Sequence, residues 1–239
     1  MPSDPAPTVA RFLPRWEVGD ITGAVVVIDV IRAFSTAAYA LAAGATEIIL
    51  VAEADEALAV KDAHPGSMAM GEVKGHRPDG FDLPNSPVMA SQADVDGRLL
   101  VQRTSAGTQG VVAARSATRL WCAGLVNASA TAAAVQAAGL GAPTYVITGH
   151  FQDRPDRLGP DDRMTAELIE RARLGQPLRA DETAAAIAGT DEATRTLALG
   201  ADHVHPDDIA YACRVDTFDF AMEVTRRPTG LHLNRRPAP

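Results

Sequence analysis

The chain has few of the residues that mark disulfide-rich, nucleic-acid-binding or membrane proteins. Its two cysteines, Cys122 and Cys213, are too few for a disulfide framework and lack metal-ligand spacing, which fits a reducing compartment. It has two lysines and a net charge of −8, so no basic stripe is available for nucleic acid or an anionic membrane. No apolar run is long enough to span a bilayer, and the proline-rich N-terminus lacks the apolar centre of a signal peptide. We therefore expect a cytoplasmic protein with no nucleic-acid and no membrane partner.

Apolar runs alternate with alanine-rich segments through the first 150 residues. The run Ala24–Ile28 is continuous and largely β-branched, which is typical of a strand buried on both faces of a parallel sheet. The alanine-rich segment 37–43 that follows it predicts a helix. Further strands are predicted at 47–51, 67–70, 98–102, 118–122 and 143–148, and further helices at 54–64, from 86 onward, at 110–115 and at 128–138. This alternation predicts an α/β protein, a three-layer α/β/α architecture with a largely parallel central sheet.

A polar, proline-bearing break at 149–160 divides the chain. Beyond it, helices are predicted at 161–174, 181–188, 191–199 and 206–213, and the segments 218–224 and 231–234 around Pro228-Thr229-Gly230 predict a hairpin. With 239 residues, 46% of them hydrophobic, the chain can bury one sizeable core, or a main domain with a smaller appendage. We expect residues 1–150 to form the main α/β part and residues 151–239 to form a helical and hairpin part, packed as a subdomain of the same unit.

Three polar segments each follow a predicted strand: DVIRAFST at 29–36, the irregular GEVKGHRPDGFDLPNSP at 71–87, and RTSAGT at 103–108. Because the carboxyl ends of parallel strands open on the same edge of a sheet, we expect these loops to share one crevice. Carboxylates hold a hard cation, while arginine and backbone N–H groups bind phosphoryl oxygens, so such a crevice suits a metal ion and a phosphoryl group. It would gather the acids Asp29, Glu72, Asp79 and Asp82, the cations Arg32, Lys74, Arg77 and Arg103, and the hydroxyls of Ser35, Thr36, Thr104, Ser105 and Thr108.

Each of these signals has a structural alternative. Asp29 could cap the following helix, and Arg32 could be the ion-pair partner of Asp29. RTSAGT lacks the lysine and the spacing of a P-loop, so it could be a plain helix cap. Asn127 has the place of a cap before an alanine-rich helix, and Asp161 and Asp162 open a helix, where the dipole favours acids.

In this order and at these separations, the three segments resemble the motifs of the 2-phosphosulfolactate phosphatase family. The resemblance covers most of the chain and includes Asn127-Ala128 and the acidic helix start at Asp161. It implies a phosphoric monoester hydrolase that depends on Mg²⁺ and converts 2-phosphosulfolactate into 3-sulfolactate and inorganic phosphate, a step of coenzyme M biosynthesis. It also implies a small anionic phosphorylated substrate and a homodimer.

The resemblance and the loop chemistry together assign roles to individual residues. Catalytic roles are expected for Asp29, Arg32 and Glu72. Mg²⁺ is expected on Asp29, Glu72, Asp82, Asp161 and Asp162. Binding of the substrate and its phosphate is expected from Ser35, Thr36, Lys74, Arg77, Asn85, Ser86, Arg103, Thr104, Ser105, Gly107, Thr108 and Asn127.

Two routes to phosphate release follow from these roles. Magnesium usually keeps several waters, and one of them could attack phosphorus, or Asp29 could itself be a covalent nucleophile. The sequence DVIRA lacks the two-aspartate DxD pattern of haloacid-dehalogenase phosphatases, which favours the water route. An alternative from another class is a non-catalytic protein that senses a small anionic metabolite with the same crevice.

Overall fold

A computed structural model describes residues 8–238 and contains twelve strands and nine α-helices in this range. The strands are Arg11–Pro14 (β1), Ala24–Ile28 (β2), Glu47–Leu50 (β3), Met68–Gly71 (β4), Leu83–Pro84 (β5), Leu99–Arg103 (β6), Arg119–Ala123 (β7), Thr144–Ile147 (β8), His150–Phe151 (β9), Arg154–Leu158 (β10), Phe220–Arg227 (β11) and Gly230–Pro237 (β12). The helices are Ala33–Ala42 (α1), Ala54–Ala63 (α2), Pro87–Gln92 (α3), Gly107–Ala113 (α4), Ala128–Ala137 (α5), Pro160–Arg173 (α6), Ala180–Ala188 (α7), Asp191–Leu197 (α8) and Asp208–Ala212 (α9).

Ten of these strands form one sheet in the order β1-β8-β2-β7-β11-β12-β3-β6-β4-β5. Neighbours pair in parallel except for the three pairings that involve the hairpin β11–β12. The predicted α/β class, the largely parallel sheet and the C-terminal hairpin are therefore confirmed. The hairpin lies in the middle of the sheet, where it joins a first arm (β1, β8, β2 and β7) to a second arm (β3, β6, β4 and β5).

The sheet curls around helix α1. Each step from β7 through β11 and β12 to β3 is antiparallel, so β3 would run opposite to β7 in a flat sheet. The carboxyl ends of β2, β4 and β6 nevertheless border one cleft. Both arms also pack on α1, because Val27 of β2, Phe34 of α1 and Ile48 of β3 belong to the same buried apolar cluster.

Helices cover the outer faces of both arms. On the first arm, alternate strand residues such as Val26 and Ile28 pack against Ala132 of α5 and Ile169 of α6. On the second arm, Ala57 of α2 packs against strand residues of β3, β4 and β6. None of the helices between residues 8 and 238 combines the length and the apolar composition that a bilayer span requires.

Several boundaries differ from the sequence expectation. Helix α1 begins at Ala33 rather than at residue 37, and α4 begins at Gly107 rather than at residue 110. The predicted break at 149–160 forms the hairpin β9–β10, and the chain beyond it returns to the main sheet through β11 and β12. Helices α1 and α4 therefore begin closer to their preceding strands than propensity alone indicates, and both include polar residues of the predicted loops.

Candidate active site

A cleft of about 450 Å³ opens where β2, β4 and β6 end. It lies where the strand-end rule for parallel sheets predicts a ligand site. The predicted site residues that line it are Asp29, Arg32, Glu72, Lys74, Asn85, Ser105, Asp161 and Asp162. Charged or aromatic residues that line it without having been predicted are Arg15, Phe151, Asp153, Arg154, Arg157, Glu192 and Arg195.

Asp29 lies at the base of this cleft, directly after β2, and is 5% exposed. Its Oδ1 accepts a hydrogen bond of 2.9 Å from the backbone N–H of Ala33, so it does cap α1, and its Oδ2 lies 3.4 Å from the Thr148 hydroxyl. A Cβ at Gly107 would lie 2.8 Å from Oδ2, so only glycine allows this approach of the third loop. Burial raises the pKa of Asp29 to about 7, with further upward contributions from the charges of Asp161 and Glu72.

Two further buried carboxylates come from the first turn of α6. Asp162 accepts hydrogen bonds from the backbone N–H groups of Val30 (3.0 Å) and Gly149 (2.8 Å), whereas Asp161 Oδ1 has no hydrogen-bond partner in the described residues. Burial, followed by the charge of Glu192, raises the pKa of Asp161 to about 6, and burial together with Asp161 and Asp29 raises the pKa of Asp162. These acids therefore need either protons or a cation to remain buried.

Glu72 ties the second loop to the third. Its carboxylate accepts hydrogen bonds from the backbone N–H and the hydroxyl of Ser105 and from the backbone N–H of Gly75. Arg103 holds the same junction, because its Nη1 donates to the carbonyl of Glu72 at 2.8 Å and its Nε donates to the carbonyl of Ala52 at 3.0 Å. The geometry therefore gives both residues a positioning role for the loops at the cleft.

Arg32 forms a buried ion pair, but its partner is Asp208 rather than Asp29. Arg32 Nη1 donates to Asp208 Oδ2 and to the carbonyl of His203, both at 2.9 Å. Asp208 also accepts from the Ser86 hydroxyl at 2.6 Å and from the backbone N–H of His205 at 3.0 Å. Since the hydrogen bonds of Arg32 within residues 8–238 all use Nη1, its Nε and Nη2 are available to a ligand in the cleft.

The other predicted hydroxyl residues do not line the cleft. Ser35 and Thr36 lie inside the buried first turn of α1, where Ser35 donates to the carbonyl of Val30 at 2.7 Å. Thr104 and Thr108 bond to each other's backbone N–H groups at 2.9 and 3.0 Å. Ser86 caps α3 as predicted, because its hydroxyl accepts from the N–H of Met89, and the same hydroxyl donates to Asp208, the ion-pair partner of Arg32.

Three more predicted residues are occupied elsewhere in the fold. Asp82 pairs with Lys61 at 2.8 Å and accepts from the backbone N–H of Ala69, so it does not join the buried acids. Arg77 donates to the carbonyl of Phe81 at 3.2 Å, within its own loop. The side chain of Asn127 is buried away from the cleft, where its Oδ1 accepts from the N–H of Gly124 at 3.1 Å.

Comparison with known proteins identifies the group to which this chain is related. A family model described as 2-phosphosulpholactate phosphatase matches residues 14–227. The chain belongs to this family. A protein of Bacillus subtilis (strain 168) named "Probable 2-phosphosulfolactate phosphatase" is 37% identical over 83% of this chain and 86% of its own length. A protein of the same name from Thermoplasma acidophilum is 28% identical over 83% of this chain and 84% of its own length.

Membership of the 2-phosphosulpholactate phosphatase family confirms the resemblance seen in the sequence and the predicted phosphatase class at the level of the family. Some residues that line the cleft, or that contact the residues lining it, were not predicted from that resemblance. Thr148 directly follows β8 and donates to the carbonyl of Ile28 at 2.8 Å, next to Asp29 and Asp162. The two arginines of the segment RPDR, Arg154 and Arg157, could have been identified as candidate anion-binding residues because they lie close together in the sequence. No sequence pattern near Asp208 indicates its role.

We expect the metal-free protein to lose stability as pH rises between the ordinary carboxyl value of 3.8 and about 7, where the folded-state pKa of Asp29 lies. In this interval the folded state retains a proton that the unfolded chain releases, so raising the pH favours unfolding. Asp161, with a pKa raised to about 6, acts in the same direction. Urea unfolding in EDTA at about pH 5 and about pH 8 measures the effect.

The variant Asp29→Asn is the control for this pH dependence, because its amide does not titrate and still accepts from Ala33. Its unfolding free energy should fall less between the two pH values than that of the unchanged protein. If both proteins lose the same amount, Asp29 does not cause the pH dependence.

Proposed function

We propose that the chain is an Mg²⁺-dependent phosphatase that hydrolyses 2-phosphosulfolactate to 3-sulfolactate and inorganic phosphate, a step of the type used in coenzyme M biosynthesis. Its family and the names of its relatives support this reaction. The observation that carries the proposal is the combination of three buried acids, Asp29, Asp161 and Asp162, with a free guanidinium edge of Arg32 in one cleft. Acids suited to a cation and an arginine suited to phosphoryl oxygens are the two components that hydrolysis of a phosphate ester needs.

The donor chemistry of the cleft fits Mg²⁺. Within residues 8–238, no three His, Cys, Asp or Glu side chains are already arranged around one metal position. However, Asp29, Asp161 and Asp162 supply oxygen atoms, which Mg²⁺ prefers, and Asp161 Oδ1 lacks a hydrogen-bond partner in the described part of the chain. No arginine, lysine or histidine of that part forms a salt bridge to any of the three. We therefore propose that these three acids hold the ion, with water completing the shell.

The remaining residues bind and orient the substrate. When bound, Mg²⁺ would supply neutralising charge to the phosphoryl oxygens. Arg32, fixed by Asp208, would bind the same group through Nε and Nη2. Glu72 would keep the second and third loops in place, because its carboxylate accepts hydrogen bonds from Gly75 of the second loop and from Ser105 of the third. Trapping of a phosphoaspartate on Asp29 would decide for the covalent route over attack by water.

Removal of the metal is expected to abolish phosphate release, and added Mg²⁺ is expected to restore it. Mg²⁺ should also raise the Tm more at about pH 8 than at about pH 5.5, because the buried carboxyls must lose their protons to bind a cation. Thermal unfolding with EDTA or with Mg²⁺ at both pH values measures the shift. The variant Asp82→Asn should keep the Mg²⁺-dependent shift, whereas Asp29→Asn should lose most of it. Undiminished turnover in EDTA would contradict the proposed metal dependence.

The reaction itself is tested by measuring phosphate release from 2-phosphosulfolactate, 2-phospholactate and phosphoglycolate with a malachite-green assay. We expect release from 2-phosphosulfolactate. If ligands raise the Tm but no phosphate appears with any metal, the alternative of a non-catalytic sensor for a small anionic metabolite is favoured. We further propose that the enzyme is a homodimer, as the family resemblance implies, and light scattering after gel filtration measures its mass. A cytoplasmic location is proposed from the low cysteine count.

A further inference from the structure

The mouth of the cleft carries four cations that form no salt bridge in the described residues. Arg15, Lys74, Arg154 and Arg157 all line the cleft, and none of them forms a salt bridge within residues 8–238. At the base of the cleft, by contrast, Arg32 is paired with Asp208. The mouth therefore has positive charge available for a ligand, while the net charge of the whole chain is −8.

Two of these cations are fixed in place by one aromatic ring. The guanidinium carbon of Arg15 lies 5.2 Å from the centroid of the Phe151 ring, and that of Arg157 lies 5.9 Å from it. Arg15 Nη1 also donates to the carbonyl of Ser105 at 2.8 Å, in the third loop of the site. The neighbouring residues Trp16 and His150 also contact each other edge to face, with 4.8 Å between their ring centroids, so they join the segment of Arg15 to that of Phe151. Stacked guanidinium groups have lost part of their freedom before a ligand binds, which favours binding.

The acids at the cleft show where a second anion of the substrate can lie. A carboxylate or sulfonate near Asp29, Asp161 and Asp162 would be repelled unless a cation compensated it. Acids at the mouth are fewer: Glu192 is paired with Arg195 at 2.8 Å, and Asp153 is exposed near Arg15. The charges therefore separate into an acidic base that suits a metal and phosphoryl group and a cationic mouth that suits a second strong anion.

We propose that Arg15 and Arg157, stacked on Phe151, bind the sulfonate of the substrate. This rests on the proposed phosphatase function and assigns the remote anion to residues outside the three motif loops. Arg77, which was expected to bind the substrate, donates within its own loop and does not line the cleft. The ligand class is then a phosphorylated 2-hydroxy acid with a further strong acid on the neighbouring carbon, since guanidinium groups bind such oxyanions through paired hydrogen bonds.

The test compares 2-phosphosulfolactate with 2-phospholactate, which lacks the sulfonate. In Arg157→Gln and Arg15→Gln, the KM for the sulfonated substrate should rise by about 10- to 100-fold, and the KM for 2-phospholactate should rise much less, because one charged hydrogen-bond partner is lost. Phe151→Leu should change the same preference by roughly 3- to 5-fold through loss of stacking. Arg179→Gln, which changes an exposed arginine that does not line the cleft, is the matched control and should keep the preference.

Equal losses for both substrates, or no loss for either, would overturn the sulfonate subsite. If the unchanged protein releases phosphate from neither ester, the proposed phosphatase function fails, and the subsite is tested by calorimetry with 3-sulfolactate and lactate. The subsite then predicts that 3-sulfolactate binds the unchanged protein at least about ten times more tightly than Arg157→Gln. Equal affinities would overturn it.

Discussion

Replacing Asp29 by asparagine is expected to lower kcat for phosphate release by at least about 1,000-fold. The substitution removes a negative charge from the acids at the base of the cleft. The asparagine oxygen can still accept the hydrogen bond from Ala33 that caps α1, so the fold should be retained. The measurement is phosphate release from 2-phosphosulfolactate with saturating Mg²⁺, together with a circular-dichroism spectrum of the variant.

The same substitution at Asp82 is the matched control. Asp82 pairs with Lys61 outside the cleft lining, so Asp82→Asn should keep kcat within about 3-fold of the unchanged protein. If Asp29→Asn retains more than a tenth of the activity, Asp29 is a helix cap and the proposed mechanism is wrong. A large loss of kcat in Asp82→Asn would show that Asp82 takes part in catalysis.

Removing the Asp208 carboxylate is expected to lower the free energy of unfolding by about 3–5 kcal/mol, because it leaves one member of a buried ion pair without its partner. Arg32 is 3% exposed and Asp208 is fully buried, so solvent screens this pair little. The same carboxylate accepts hydrogen bonds from Ser86, Val88 and His205, and these donors would also lose their acceptor in Asp208→Ala. Urea unfolding of Asp208→Ala measures the loss.

Glu182→Ala provides the comparison for an exposed pair. The side chains of Arg179 and Glu182 are 73% and 71% exposed, so this variant should lose no more than about 0.5 kcal/mol. Asp208→Asn, which keeps an acceptor for the backbone donors, should be intermediate, and it supplies the measurement if Asp208→Ala does not fold. Its kcat/KM should fall as well, because Arg32 loses the partner that orients it. If both Asp208 variants have the same urea midpoint as the unchanged protein, the ion pair contributes no stability.

Local sequence signals were sufficient for most elements of the fold. Ser86-Pro87 predicts a helix start, and the Ser86 hydroxyl does accept from the N–H of Met89 at 3.2 Å. The turn at Pro228-Thr229 predicts a hairpin, and Arg227 does pair with Gly230. The position of that hairpin between the two arms of the sheet could not be predicted, because strand pairing across such separations leaves no local pattern.

The candidate site shows the same division between local and long-range information. The strand-end rule was enough to expect the three loops at one crevice. It could not show that α1 begins at Ala33 and so buries Ser35 and Thr36, because tertiary packing extends the helix beyond its alanine-rich part. Nor could it show that Arg32 pairs with Asp208, which lies 176 positions further along the chain.

The central position of β11 and β12 also affects how the protein can be made. These two strands emerge from the ribosome after every other strand of the sheet. Until they arrive, β7 and β3 each present an unpaired edge, and such edges readily pair with other chains. The nascent protein therefore has two open strand edges at the centre of its sheet until the last part of the chain has been made.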